Sequence, residues 1–504
     1  MEAVRREVAA RYHLRVRELS EFLGQFPEYG PPERIDGLRD REYPRLNATG
    51  QVYLDYTGGS LYADSQLRRH LEFMAGGVFG NPHSANRASA AMTEHVERAR
   101  AAVLRYFNAS PDEYVAVFTQ NASGGLKLIG EAFPFAPGSR LLLTVDNHNS
   151  VNGIREFAKS KGAEVEYAPL AMPELRLNLP ELDAALDRAI PGCPHLFAFP
   201  AQSNFTGVKH PLHLVARAQA KGWRVLLDGA AFAPTNALDI SAVKPDFAVF
   251  SFYKMFGYPT GLGALLIRRD MFDGLKRPWF AGGTVNFASV QGRSHVLLHN
   301  EGAFEDGTVN YLSIPAVQFG LEYLTSIGVQ TIGARVQALT GWLLNRLMSY
   351  QHSNGRPMVR IYGPVSTTDR GGTVTMNFYD PAGHLLDYWR VEELAGKAGI
   401  SLRTGCFCNP GAGETAEGIT VQDVQSASAA YGDSLTLHAL LKLLRERGTG
   451  KSTGAIRVSF GIASNFDDAR HFAQFAWSLR DQTQLTIGEV TFDIDSCRVI
   501  RDGS

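Results

Sequence analysis

The sequence predicts an α/β protein: a mostly parallel, seven-stranded sheet in a large domain, followed by a smaller α/β domain. Three observations carry this. First, 504 residues exceed one ordinary core and suit about three domain-sized units, or one large and one smaller. Second, the composition is 44% hydrophobic and 20% charged, as in globular proteins. Third, short apolar runs alternate with helical patterns from about residue 113 onward.

In chain order, residues 1–26 mix Arg5, Arg6, Arg11, Arg15 and Arg17 with Glu2, Glu7, Glu18 and Glu21 and read as an amphipathic helix. Pro27 to Asp36 reads as a link to residue 50. The large domain is expected over 51–330. Its strands are Tyr114–Thr119, Arg140–Val145, Ala163–Tyr167, His195–Phe199, Arg224–Leu227, Asp246–Phe250 and Gly263–Ile267. Helical patterns at Gly125–Ala132, Val151–Lys161, Leu182–Ala189 and Leu212–Lys221 lie between several of them, as right-handed βαβ units require. Ile314 to Tyr350 reads as helical, and the smaller domain is expected over 331–484, with strands near Thr373–Phe378 and Ile456–Phe460. Residues 485–504 read as one further strand or tail.

Lys and Arg total 50 against 51 Asp and Glu, a net charge of −1, so the balance makes no case for nucleic acid or an anionic membrane. No signal-like segment or 18-residue apolar run occurs. Four cysteines are too few for a disulfide framework. A cytoplasmic protein is the expectation. Fifty glycines, about 10% of the chain against ~7% on average, suit tight turns and close backbone approach to a ligand.

In parallel sheets ligands sit at the carboxyl ends of strands, and there the chemistry-bearing residues fall. After Thr119, Asn121-Ala122-Ser123-Gly124 opens a helix and could cradle an anion, or be an ordinary capped start. After Val145 comes His148, suited to stacking on a flat ring or moving protons, or to a plain loop hydrogen bond. Asn204 follows the fourth strand. Asp228 ends the fifth, and a carboxylate there needs a cationic partner. Lys254 follows the sixth, 254 − 228 = 26 residues on, among Phe252, Met255 and Phe256, which disfavour its ammonium form. An acid and a lysine on neighbouring strand ends suit pyridoxal phosphate, with Lys for a Schiff base and Asp for the pyridinium nitrogen; a structural ion pair is the alternative. Downstream, Cys406 and Cys408 share a Gly/Pro loop with Arg403, a setting for a reactive thiolate. Two thiols without a second Cys/His pair seldom hold zinc. Cys193 and Cys497 have no such company and read as inert.

The run from Ser251 to Ala264 resembles the lysine segment of the molybdenum cofactor sulfurases. So do Tyr53-Leu54-Asp55, Gly80 to Ser84, Pro200 to Phe205, Phe304 to Thr308 and Arg403 to Pro410. More broadly the chain is similar to class V aminotransferase-fold enzymes, the group of cysteine desulfurases and selenocysteine lyases. The resemblance implies a PLP-dependent transferase fold of type I. It also implies pyridoxal 5'-phosphate held by Lys254 and Asp228, with His148 on the ring and Asn204 near the phenolic oxygen. Ala122, Ser123, Ser251 and Tyr253 would cradle the phosphate, joined by Thr284 from the neighbouring subunit of a homodimer. Substrate contacts would come from Asn81 and Arg403, the latter in the register, five residues before Cys408, that binds the substrate carboxylate in related desulfurases.

The implied reaction takes sulfur from L-cysteine onto Cys408 as a persulfide, releases L-alanine and hands the sulfur to an acceptor protein or small molecule. The alternative is a PLP-dependent lyase acting on a cysteine conjugate or another amino acid, with insertions near Gly292–Glu301 and Gly413–Asp433 reshaping the pocket. A non-catalytic role would require loss of Lys254 or Asp228, and both are present. The chain departs from the desulfurase pattern at Ala231, where Gln is usual, and at Tyr253, where His is usual. Residues 487–497 look like the start of the cofactor-binding C-terminal domain of the full-length sulfurases.

Overall fold

In the computed structural model, residues 2–488, 490–493 and 498–500 are described, with side chains for 12–31, 35–488 and 490. All seven expected strands form, as β1 (Tyr114–Thr119), β2 (Arg140–Thr144), β3 (Glu164–Ala168), β4 (His195–Pro200), β5 (Trp223–Asp228), β6 (Phe247–Ser251) and β7 (Gly263–Arg268). They make one sheet in the spatial order β1-β7-β6-β5-β4-β2-β3. Neighbours among β2 to β6 pair in parallel, and β7 runs antiparallel to both β1 and β6. The sheet is therefore mixed, with one reversed strand.

The strands are continuous apolar runs because both faces are covered. Tyr114, Ala116 and Phe118 enter one core while Val115 and Val117 enter the other; Phe197 and Phe199 oppose Leu196 and Ala198 in the same way. The period of two thus sorts side chains to opposite sides of the sheet. At its carboxyl edge Gly263 pairs with Ser251 and with Thr119. A Cβ at Gly263 would lie 2.5 Å from the Phe250 carbonyl oxygen and 2.7 Å from the Asn121 backbone, so only glycine lets β7 start this close to the helix that follows β1.

A second sheet of four antiparallel strands has the order β8-β9-β11-β10, formed by β8 (Val359–Tyr362), β9 (Thr373–Phe378), β10 (Arg403–Gly405) and β11 (Ala455–Ser459). Sequence pattern finds β9 and β11 but misses β8 and β10, which are short and half polar. Val52–Tyr53, expected with the large region, pairs in parallel with Ile400–Ser401.

The chain differs from expectation in four further places. The 27–36 link is largely helical: Pro27–Tyr29 is a 3-10 turn and Pro32–Glu42 an α-helix, each with proline at its start, where the missing N–H costs nothing. The 314–350 helix is two, Ile314–Ile327 and Val329–Ser349, parted at Gly328 with φ +89°. The 151–161 helix likewise divides at Gly153. Past 485, Thr491–Asp493 pairs antiparallel with Arg498–Ile500, two strands in place of one; Cys497 lies outside the described residues. No described helix is long and apolar enough to cross a membrane.

Candidate active site

The carboxyl ends of the parallel strands converge on one cavity. Ala122, Ser123, His148, Asn204, Asp228, Ser251, Tyr253 and Lys254 line it together, with Gln202 and Ser150 among the rest of its wall. They arrive on five strand ends, those of β1, β2, β4, β5 and β6, which is why residues 122 to 254 meet although they are distant in sequence.

The anion-facing end is built on the helix Ala122–Ala132. Asn121 caps it, its Oδ1 accepting from the Gly124 N–H at 3.0 Å. The Ala122 N–H donates to Ser251 Oγ at 3.0 Å, tying the helix start to the end of β6. Ser123 and Ser150 hydroxyls lie 2.6 Å apart. The two hydroxyls, with the Ser123 N–H at the positive end of the helix, form a donor set of the kind that binds a phosphate. Across the cavity Asp228, buried, accepts at Oδ1 from the Ala230 N–H at 2.9 Å. Burial lowers the Lys254 pKa, opposed by the negative charge of Asp228 and reinforced by the nearby Arg457 guanidinium. The amine is thereby shifted toward its neutral, nucleophilic form.

His148 caps the short helix Asn149–Asn152. Its Nδ1 accepts the Ser150 N–H at 3.1 Å, so the neutral ring carries its proton on Nε2. Burial first, and the Lys254 charge second, lower its pKa below the usual 6.5. A depressed value keeps the ring neutral further into acid. The acid limb of a pH–rate profile controlled by His148 is therefore expected with its midpoint below 6.5; a midpoint at or above 6.5 that survives in His148→Gln would assign the limb elsewhere.

The cysteine loop is fastened beside this cavity. Gly405, Phe407 and Cys408 have φ of +103°, +56° and +54°, and the two non-glycine residues each carry a left-handed penalty of roughly 1–2 kcal/mol. Asn204 Nδ2 donates to the Phe407 carbonyl at 2.8 Å, and the Asn149 N–H donates to the Cys408 carbonyl at 2.7 Å. The charge of Cys408 reaches both Lys254 and Tyr253. Cys408 is exposed, whereas Cys406 is half-buried and its thiol is pushed up by burial. Cys193, also half-buried, lies elsewhere, against Gly138.

Arg403 is half-exposed and bound to Asp55, with Nε and Nη2 at 3.0 and 2.6 Å from Oδ2. The other Asp55 oxygen takes Arg457 Nη2 at 2.9 Å. Arg457 is buried, sits 4.6 Å from the centre of the Phe407 ring, donates to the Asn204 carbonyl at 3.1 Å, and has no hydrogen-bond partner at Nε among the described residues. Its charge acts on both Lys254 and His148. Sequence reasoning missed it, although an arginine inside the apolar run Ala455–Ser459 is a signal that a buried charge has work beyond packing. Asn81 is exposed, 3.4 Å from Thr308 Oγ1, and Thr284 is wholly buried, closing its own turn with Ala281; neither lines the cavity of its own chain.

The model for the aminotransferase class-V family matches residues 52–472. The molybdenum cofactor sulfurase of Solanum lycopersicum is 37% identical over 92% of the chain, and that of Homo sapiens 34% over 91%. These matches cover 59% and 54% of the relatives, so the chain spans less than two thirds of their length. Among solved structures, a cysteine desulfurase from Thermococcus onnurineus superposes with a TM-score of 0.71 at 24% identity, covering 90% of this chain and 98% of that one. One from Escherichia coli gives 0.68 at 21%, covering 88% and 98%. At those identities the likeness establishes a shared fold. With a family match over most of its length, the chain belongs to the aminotransferase class-V family.

Proposed function

We propose that this protein is a pyridoxal-phosphate-dependent cysteine desulfurase that moves sulfur from L-cysteine to Cys408 and then to an acceptor. The observation that carries the reading is the single cavity in which Asp228 and Lys254 meet a helix-start donor set, beside a loop that bears an exposed cysteine. The donor chemistry fits the cofactor: an amine for its aldehyde, a carboxylate for its ring nitrogen, hydroxyls and N–H groups for its phosphate. When bound, that group withdraws electrons from the substrate's α-carbon.

The chain's residues do the rest. Lys254, shifted toward its neutral form, would hold the cofactor through its aldehyde and give way to the substrate amine. Asp228 would keep the ring nitrogen protonated. Ala122, Ser123, Ser251 and Tyr253 would bind the phosphate, with Thr284 of a second copy in a homodimer. Asn204 would offer its amide to the phenolic oxygen. His148, protonated at Nε2, holds and releases a proton at that atom. Arg403 and Arg457, sharing Asp55, would face the substrate carboxylate; the Nε of Arg457, without a hydrogen-bond partner among the described residues, favours it for the direct contact, with Arg403 and Asn81 at the entrance. The Cys408 thiolate attacks the substrate sulfur, the carbon–sulfur bond breaks, and its electron pair and a proton complete alanine. In this reading residues 51–330 hold the cofactor and 331–484 carry the cysteine and the arginines, in a cytoplasmic enzyme.

The relatives named as molybdenum cofactor sulfurases support sulfur transfer as the chemistry. A lyase acting on a cysteine conjugate is the second reading, in keeping with likeness in fold to a cystine C-S lyase. Incubation with L-cysteine separates them. Desulfuration is expected to yield alanine and enzyme-bound sulfane sulfur in equal amounts; pyruvate with ammonia as the main products would overturn the desulfurase.

A further inference from the structure

Asn409 is wholly buried directly after the exposed Cys408, and every polar atom of its side chain is engaged. Nδ2 donates to the Asp146 carbonyl at 2.6 Å and to Asn204 Oδ1 at 2.9 Å. Oδ1 accepts the Ala412 N–H at 3.2 Å, capping the helix Pro410–Glu417. Its backbone N–H donates to the Cys406 carbonyl at 2.9 Å. Asn204 in turn gives its own amide to the Phe407 carbonyl, so the two asparagines close a ring across the loop and the strand ends. Two of the three fixed points, Asp146 and Asn204, lie on the segments that follow β2 and β4 and supply the cavity wall.

We propose that Asn409 is the positioning residue that fixes Cys408 relative to the cofactor cavity. The inference deepens the desulfurase reading and rests on it. Without the amide donors the loop keeps the Asn149–Cys408 and Asn204–Phe407 bonds but loses its side-chain ties to Asp146 and Asn204, so two successive non-glycine residues at φ near +55° are held by fewer contacts and gain freedom to depart from that backbone. The ring of Phe407, packed at 5.4 Å from that of Phe205 and beneath Arg457, anchors its own side chain but not the Cys408 backbone. The Asn204–Asn409 bond also makes the loop's order depend on a residue that lines the cavity.

Asn409→Ser and Asn409→Asp test this, since both retain a helix-capping oxygen while lacking the amide donors. In the full-length, cofactor-loaded enzyme, kcat with L-cysteine is expected to fall roughly 10- to 100-fold, the scale of a small misplacement of a reacting group. KM and the cofactor's visible absorbance should change less than about threefold on that scale. A nitroxide at Cys408, in a background with Cys193, Cys406 and Cys497 changed to serine, should give a narrower, more mobile spectrum in Asn409→Ser than in the parent. Parental kcat in either variant, or an unchanged nitroxide spectrum, overturns the proposal. The spectrum reads loop order whether or not Cys408 carries sulfur. Its narrowing supports the clamp even if the unsubstituted enzyme forms no Cys408 persulfide, a result that would overturn the desulfurase reading instead.

Discussion

Lys254→Ala is expected to lower turnover of L-cysteine at least a thousandfold, a loss of about 4 kcal/mol in transition-state stabilisation. It should also remove the visible band that lysine attachment gives the cofactor. The size of the effect follows from position. Lys254 stands on the short helix Phe252–Phe256 after β6, in the same cavity as Asp228, and burial shifts its amine toward the neutral form that reacts with an aldehyde. Alanine removes both the attachment point and the group exchanged with the substrate amine. An external amine restores neither the tether nor its placement. Turnover within tenfold of the parent, measured as alanine released, would show that the lysine is a structural partner of Asp228 and nothing more.

Cys408→Ala is expected to suppress sulfane-sulfur formation at least a hundredfold while leaving the visible absorbance intact, because the thiol belongs to a loop and not to the cofactor's binding set. Cys406→Ala should retain most of the activity. The distinction is electrostatic and steric. The thiolate is the attacking species; Cys406 is half-buried, with burial and the neighbouring Cys408 charge both holding its proton on, whereas Cys408 is exposed. Undiminished sulfur transfer in Cys408→Ala would falsify its role. Equal losses in both variants would make the pair, and not Cys408, the acceptor.

These two residues were legible without coordinates because each carries an unusual local context: a lysine among aromatics after an apolar strand, and two cysteines in a glycine-rich turn. Arg457 and Asp55 were not legible in the same way. Each is one charge in an apolar strand or at its edge, and pairing across 402 residues leaves no periodic trace. The short strands Val359–Tyr362 and Arg403–Gly405 escaped for a related reason: four and three residues are too few for alternation to register, and only pairing with Thr373–Phe378 and Ala455–Ser459 makes them strands. The 27–36 segment misled because proline and glycine mark both loops and helix starts, and packing against the chain's distant helices decides between them.

Local pattern alone determined the seven apolar runs of the main sheet, their alternation with helices, and the strand ends on which Asp228 and Lys254 fall, since a strand buried on both faces must be apolar throughout. Tertiary structure alone decided that β7 runs backward between β1 and β6, that Asp55 joins two arginines, and that Asn204 and Asn409 lock the cysteine loop. Those are contacts between residues far apart in the chain, and their energies arise only once folding has brought the partners together.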